Sequence, residues 1–190
     1  RVDAKLNAKD IGAAVGAKLG LKGPVLYGEG SFGDMYVDKA LSPRDQARAK
    51  AAAVAAFRAH PQVETVFTRE QLAAAPSPTA SPDQWSLVDK ARASFDPERS
   101  GDFVVLLKKD ITPIANTKSY VATHGSPWDY DRRVPILFWR RGMAHTERNE
   151  AIETGDIMPT LAAAIRLAVN ANAIDGECLN GISAASCPSR

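Results

Sequence analysis

Residues 123–139 read THGSPWDYDRRVPILFW and hold most of the chemistry-bearing side chains that the chain places close together. His124 stands between a hydroxyl residue and Gly125, Asp129 and Asp131 flank a tyrosine, Arg132 and Arg133 follow, and an apolar run closes the stretch. A neutral imidazole in such a loop can bind a metal through one nitrogen while a carbonyl or carboxylate holds its other N–H. The two aspartates offer further ligands or an acid/base pair. The arginine pair can take a phosphate or carboxylate bidentately. Each also has a plainer reading. A zinc site needs three or four donors, so a lone histidine is more often a surface or structural residue. Salt bridging and turn formation account for Asp129 and Asp131 about as well as chemistry does.

Elsewhere the chemical signals are thin. His60 precedes Pro61 at an expected helix end, where an imidazole favours the helix dipole. His145 sits in a polar, surface-like stretch, AHTERNE. GEGSFG at 28–33 has the glycines of a phosphate cradle but neither the lysine nor the following helix, and it lies between two apolar triplets, so it reads as a hairpin turn. No base is identifiable by spacing for Thr123 or Ser126, and neither is assigned as a nucleophile. Cys178 and Cys187 stand in a tail rich in Gly, Ser and Ala, with no third thiol. They are a small-loop disulfide in an oxidising compartment or two free thiols in a reducing one. A zinc knuckle is disfavoured, because no histidine or third cysteine is near.

The elements that must position these residues follow from periodicity. Leu6, Ile11, Val15 and Leu19 predict a helix over 3–19 with one buried face, ended by Gly20. Ser42 as cap, Pro43 and Asp45 in the first turn open an alanine-rich helix to about Ala59. QVETVFT at 62–68 alternates as a half-buried strand, and short helices are expected over 69–74 and 83–95. FVVLLK at 103–108 and VPILFW at 134–139 are continuous apolar runs, the pattern of strands buried on both faces. A final helix is expected over 156–169, with Asp156 as cap and Ile157, Leu161, Ile165 and Ala168 on its inner face. Two such strands cannot make a sheet alone, which points to further strands in sequence outside the chain.

Composition agrees with a folded domain: 190 residues, 45% apolar and 24% charged, with 24 Lys and Arg against 22 Asp and Glu. A net charge of +2, with dispersed basic residues, gives no nucleic-acid surface, and no apolar run reaches the length of a membrane span. The chain starts at Arg1 and not at Met, and so reads as a processed or truncated piece of something longer.

THGSPWDYDRRVPILFW with the following RRGM, then ETGDIMPTLAAAI and IDGECL, resembles the C-terminal segment of the alkaline phosphatase superfamily, in particular the bacterial periplasmic alkaline phosphatases with a threonine nucleophile. Upstream, MYVDKA, VETVFTREQL and FDPERSGDFVVLLK are similar to the region before that segment, so the resemblance spans nearly the whole chain. It implies an α/β fold, the C-terminal part of a three-layer sandwich carrying an inserted small α+β subdomain. Residues 1–100 would be that subdomain, and 101–190 the core strands, metal-ligand loop and covering helix. It implies a site of two zinc ions to which His124 contributes one ligand, with Asp156 structural. Phosphate monoesters would be hydrolysed in two in-line steps through a phosphothreonine, in the periplasm or outside the cell. The nucleophile and remaining ligands would come from the remainder of the polypeptide, leaving this piece alone inactive. A phosphodiesterase or sulfatase of the same superfamily, or a noncatalytic fragment, are the competing readings.

Overall fold

The computed structural model describes residues 1–116, 118, 120–182 and 187. The chain divides into two compact units, one made of Arg1–Pro78 and Ser86–Val134, the other of Thr79–Trp85 and Pro135–Arg190. The architecture is mixed α/β.

In the first unit, helix α1 (Ala8–Leu19) starts later than periodicity predicts. Asn7 accepts the Asp10 amide at 2.9 Å and Asp3 accepts that of Lys5, so the local side chains compete with the first turn and hold it open. A hairpin follows: β1 (Leu26–Gly28) and β2 (Gly33–Val37), paired Leu26 to Val37 and Gly28 to Met35, with the glycine-rich stretch as its turn. Helix α2 (Pro43–Ala59) has the expected bounds. Ser42 Oγ accepts the Asp45 amide at 3.1 Å, and His60, extended before Pro61, ends the helix. Strand β3 (Val63–Thr68) runs directly into helix α3 (Arg69–Ala74), where Thr68 and Gln71 cap each other's amides. The helix expected over 83–95 is shorter: α4 (Leu87–Ala93) is capped by Ser86 and Asp89.

Strand β4 (Phe103–Leu107) is where the fold departs most from its sequence pattern. Its apolar run is buried, yet it is an inner strand of one antiparallel sheet in the order β1-β2-β4-β3. Phe103, Val105 and Leu107 join the cluster containing Met35, Ala49, Ala53, Phe57 and Val66. The pleat turns Leu106 to the other face, and it too is only 8% exposed. An inner antiparallel strand closed on both faces therefore carries the same residue pattern as a parallel one. Phe57 and Phe103 meet with ring centroids 5.8 Å apart and tilted by 58°, a contact worth about 1 kcal/mol beyond area burial.

Residues 134–139 form no strand, and in the second unit Leu137 and Trp139 are 89% and 83% exposed. A β-rich run needs an edge to pair with, and none among the described residues takes it. The last helix, α6 (Ile157–Ala164), follows a 3₁₀ turn, Thr154–Asp156, and stops well before residue 169 because Arg166 adopts φ +57°. It buries Pro159, Thr160, Ala162 and Ala163 and leaves Leu161 and Ile165 exposed, the reverse of the face that the large apolar residues suggest. Asp156 does not cap it. Its buried carboxylate instead accepts the amides of Glu153 at 2.9 Å and Glu177 at 2.7 Å. Thr160 Oγ, also buried, accepts the Leu179 amide at 2.9 Å and donates to Asp156 O at 2.6 Å. These bonds lay IDGECL along the start of α6. The approach needs a glycine at 176, since a Cβ there would collide with the Gly155 carbonyl. Cys178 and Cys187 are disulfide-bonded, with Cα atoms 5.6 Å apart. No helix among the described residues is long and apolar enough to cross a membrane.

Candidate functional site

The loop after β4 belongs wholly to the first unit. It leaves the sheet at Leu107, turns at Asp110 with φ +64°, and is tied to the chain's start where the Val2 amide donates to Thr112 O at 3.0 Å. Ser119 lies outside the described residues, and 120–122 are irregular. His124 follows, exposed to solvent, and then Gly125 with φ +102°. A Cβ at 125 would stand 3.3 Å from the Phe32 ring of the β1–β2 turn. Both the backbone angle and the contact call for glycine there.

Residues that read as loop from their composition form a one-turn helix, α5 (Asp129–Arg132). Asp131 and Arg132 donate their amides to Trp128 O, each at 3.0 Å, and Arg133 donates to Asp129 O at 2.8 Å. Trp128 Nε1 donates to Leu107 O at 3.0 Å, hanging the turn from the last residue of β4. Asp131 Oδ2 accepts the Ser126 amide at 2.6 Å. Asp129 faces Lys90 Nζ on α4 at 3.6 Å, so one aspartate is ion-paired and the other closes a turn. Sequence reasoning missed this one-turn helix. The available signal was Pro127 followed by two acidic residues, a helix-start pattern here compressed into a single turn.

An open depression of ≈ 330 Å³ collects the loop's polar groups: Asp110, Thr112, Thr123, His124, Ser126, Tyr130 and Asp131 line it. The Asp110 amide donates to Tyr130 Oη at 3.3 Å across its rim. None of the hydrogen bonds among the described residues uses the ring nitrogens of His124. Among those residues no three His, Cys, Asp or Glu side chains converge as a metal site. The donor chemistry here therefore fits one contribution to a metal centre, a solvent-open imidazole on a braced loop, and not a complete centre.

Neither of the other two histidines lines this depression. His60 is largely buried at the end of α2, where its Nδ1 accepts the Gln62 amide at 3.2 Å and its Nε2 lies 3.6 Å from Asp3. His145 is exposed.

No family model matches the chain. It is 51% identical over 183 residues to alkaline phosphatase PhoK of Sphingomonas sp, covering 95% of this chain and 33% of that protein. It is 46% identical over 167 residues to alkaline phosphatase PhoD of Zymomonas mobilis, covering 87% of this chain and 29% of the relative. The chain thus spans about a third of the length of the curated relatives it matches. Over nearly all of its own length, this sequence, with its braced His124 loop and its Asp156 clamp, is homologous to proteins named alkaline phosphatase.

Proposed function

We propose that this chain is the C-terminal portion of a zinc-dependent phosphomonoesterase, an alkaline phosphatase that hydrolyses phosphate monoesters through a phosphothreonine. The observation that carries the reading is the 51% identity to alkaline phosphatase PhoK across 95% of the chain. The threonine nucleophile, the phosphate-contacting side chains and the other ligands of a two-zinc site then lie in the remainder of the polypeptide, and this piece alone is inactive. When bound, zinc supplies the positive charge that lowers the barrier to phosphoryl transfer.

The part played by these residues is positional. His124 presents a neutral imidazole as a metal ligand, Gly125 brings the backbone against Phe32, and Trp128 fixes the loop to β4. Residues 101–190 are read as the C-terminal part of a three-layer sandwich and 1–100 as the inserted subdomain, with β4 the strand that joins them through its pairing to β2 and β3. The exposed apolar side chains of the second unit, Leu137, Trp139, Leu161 and Ile165, suit burial by the rest of the same polypeptide. The Cys178–Cys187 bond suits a periplasmic or secreted protein. Neither nucleic acid nor a membrane span is invoked.

Assay of the full polypeptide on a monoester, a diester and a sulfate ester, before and after chelation, tests the reading. Monoester turnover that chelation abolishes and zinc restores is the expected result. His124→Ala is expected to cost about 100-fold or more in kcat/KM, since even residues that only orient ligands cost 10- to 100-fold. Unchanged turnover in His124→Ala would remove the ligand assignment, and preference for the diester or sulfate ester would remove the monoesterase.

A further inference from the structure

We propose that Asp131 is a positioning residue for His124, setting where the imidazole stands before any metal arrives. The proposal rests on His124 as the zinc ligand and adds the group that aims it. His124 is exposed and draws no support through its own ring from the described residues, so its placement comes from the backbone on either side. Two residues on, the Ser126 amide is held by Asp131 Oδ2 at 2.6 Å, a short bond to a charged acceptor. Gly125 lies between them, and its φ of +102° turns the chain from the held amide toward His124.

The acceptor is itself immobilised. The Asp131 amide donates to Trp128 O at 3.0 Å, and Trp128 donates its indole N–H to Leu107 O at the end of β4. Trp128 also donates its amide to Ser126 Oγ at 3.4 Å, a second tie across the same ring of residues. The path from sheet to histidine therefore runs through Leu107, Trp128, Asp131 and Ser126, and the Asp131 carboxylate is the side-chain link nearest to His124. Asp131 Oδ2 accepts the Ser126 amide, and the proposal gives the carboxylate that orienting role. A ligand held in place before binding loses less freedom on binding, which appears as metal affinity.

The test is zinc affinity of the full polypeptide, measured by competition with a chromophoric chelator, alongside hydrogen exchange of the Ser126 amide and the thermal midpoint. Asp131→Ala is expected to weaken zinc binding about tenfold or more and to speed Ser126 exchange. Asp131→Asn keeps an oxygen that can accept the Ser126 amide and is expected to recover most of the affinity. If the alanine variant does not fold, Asp131→Ser, too short to reach Ser126, takes its place. A purely structural Asp131 would lower the thermal midpoint while zinc affinity stayed within twofold, and that result overturns the proposal. Equal losses in the asparagine and alanine variants also overturn it, because charge and not the Ser126 bond would then matter. His124→Ala separates the two ideas. If it retains full zinc affinity, the ligand reading fails and the proposal fails with it; if it loses zinc while Asp131→Ala does not, only the proposal fails.

Discussion

Asp156 and Glu177, 21 positions apart, are joined by a 2.7 Å hydrogen bond from the Glu177 amide to a buried carboxylate oxygen. The second oxygen takes the Glu153 amide, so one side chain fastens the turn before α6 to the tail that carries Cys178. Replacing Asp156 by alanine removes the charged acceptor that both amides share. We expect a loss on the order of 3 kcal/mol, read as a shift in denaturant midpoint of the full polypeptide, with Asp156→Asn losing less because one oxygen is kept. A midpoint unchanged in Asp156→Ala would show that the clamp contributes nothing to stability.

Gly125→Ala tests the loop from its other side. The substitution forces a Cβ onto a backbone at φ +102° and to within 3.3 Å of Phe32. The expected cost is about 1–3 kcal/mol of local stability, together with loss of activity in the full polypeptide. Adding Phe32→Ala relieves the contact but not the backbone angle, so the double variant should recover only part of the loss; full recovery would show that crowding alone matters.

Much of this framework was legible from the chain. Ser42, Pro43 and Asp45 announce α2, and alternating apolar residues announce β3. The missed parts depend on distant partners. Nothing local in FVVLL distinguishes an inner antiparallel strand from a parallel one, since burial on both faces gives the same composition. VPILFW has the residues of a strand but no described edge to join. In α6 the tail bonded to Asp156 and Thr160 selects the small residues as the buried face, a choice that periodicity in the helix alone cannot register. His124 was legible as a candidate. Its bracing was not, because the Ser126–Asp131 and Trp128–Leu107 bonds link side chains to backbone amides and carbonyls, which leave no residue-type signature.

A pH titration can report on the pairing of α2 with α3. The Lys50 ammonium, 2.5 Å from Glu70, is the main cause of a Glu70 carboxyl held at about 2 against an ordinary 4.5. A depressed folded-state value means that the stabilising contribution is fully present above about 4.5 and disappears as pH falls through about 2. Glu70 is 64% exposed, so solvent keeps that contribution small. In Lys50→Met the Glu70 carboxyl is expected to titrate higher, toward 4.5, followed by carbon-detected NMR; an unchanged midpoint would dismiss the lysine as the cause.

Trp139 offers an optical check on the proposed burial by the remaining polypeptide. Its side chain is 83% exposed here. The emission component lost on Trp139→Phe should be readily quenched by acrylamide in this 190-residue chain and shielded in the full protein. Equal quenching in both would mean that no other segment covers 134–139.

Trp128 hangs from the carbonyl of Leu107, and Leu107 ends the strand whose first residue, Phe103, packs on Phe57. A continuous run of contacts therefore joins the centre of the core to the histidine loop. A methylene gained or lost beneath β4 is expected to be felt at the loop as well as in the stability of the fold.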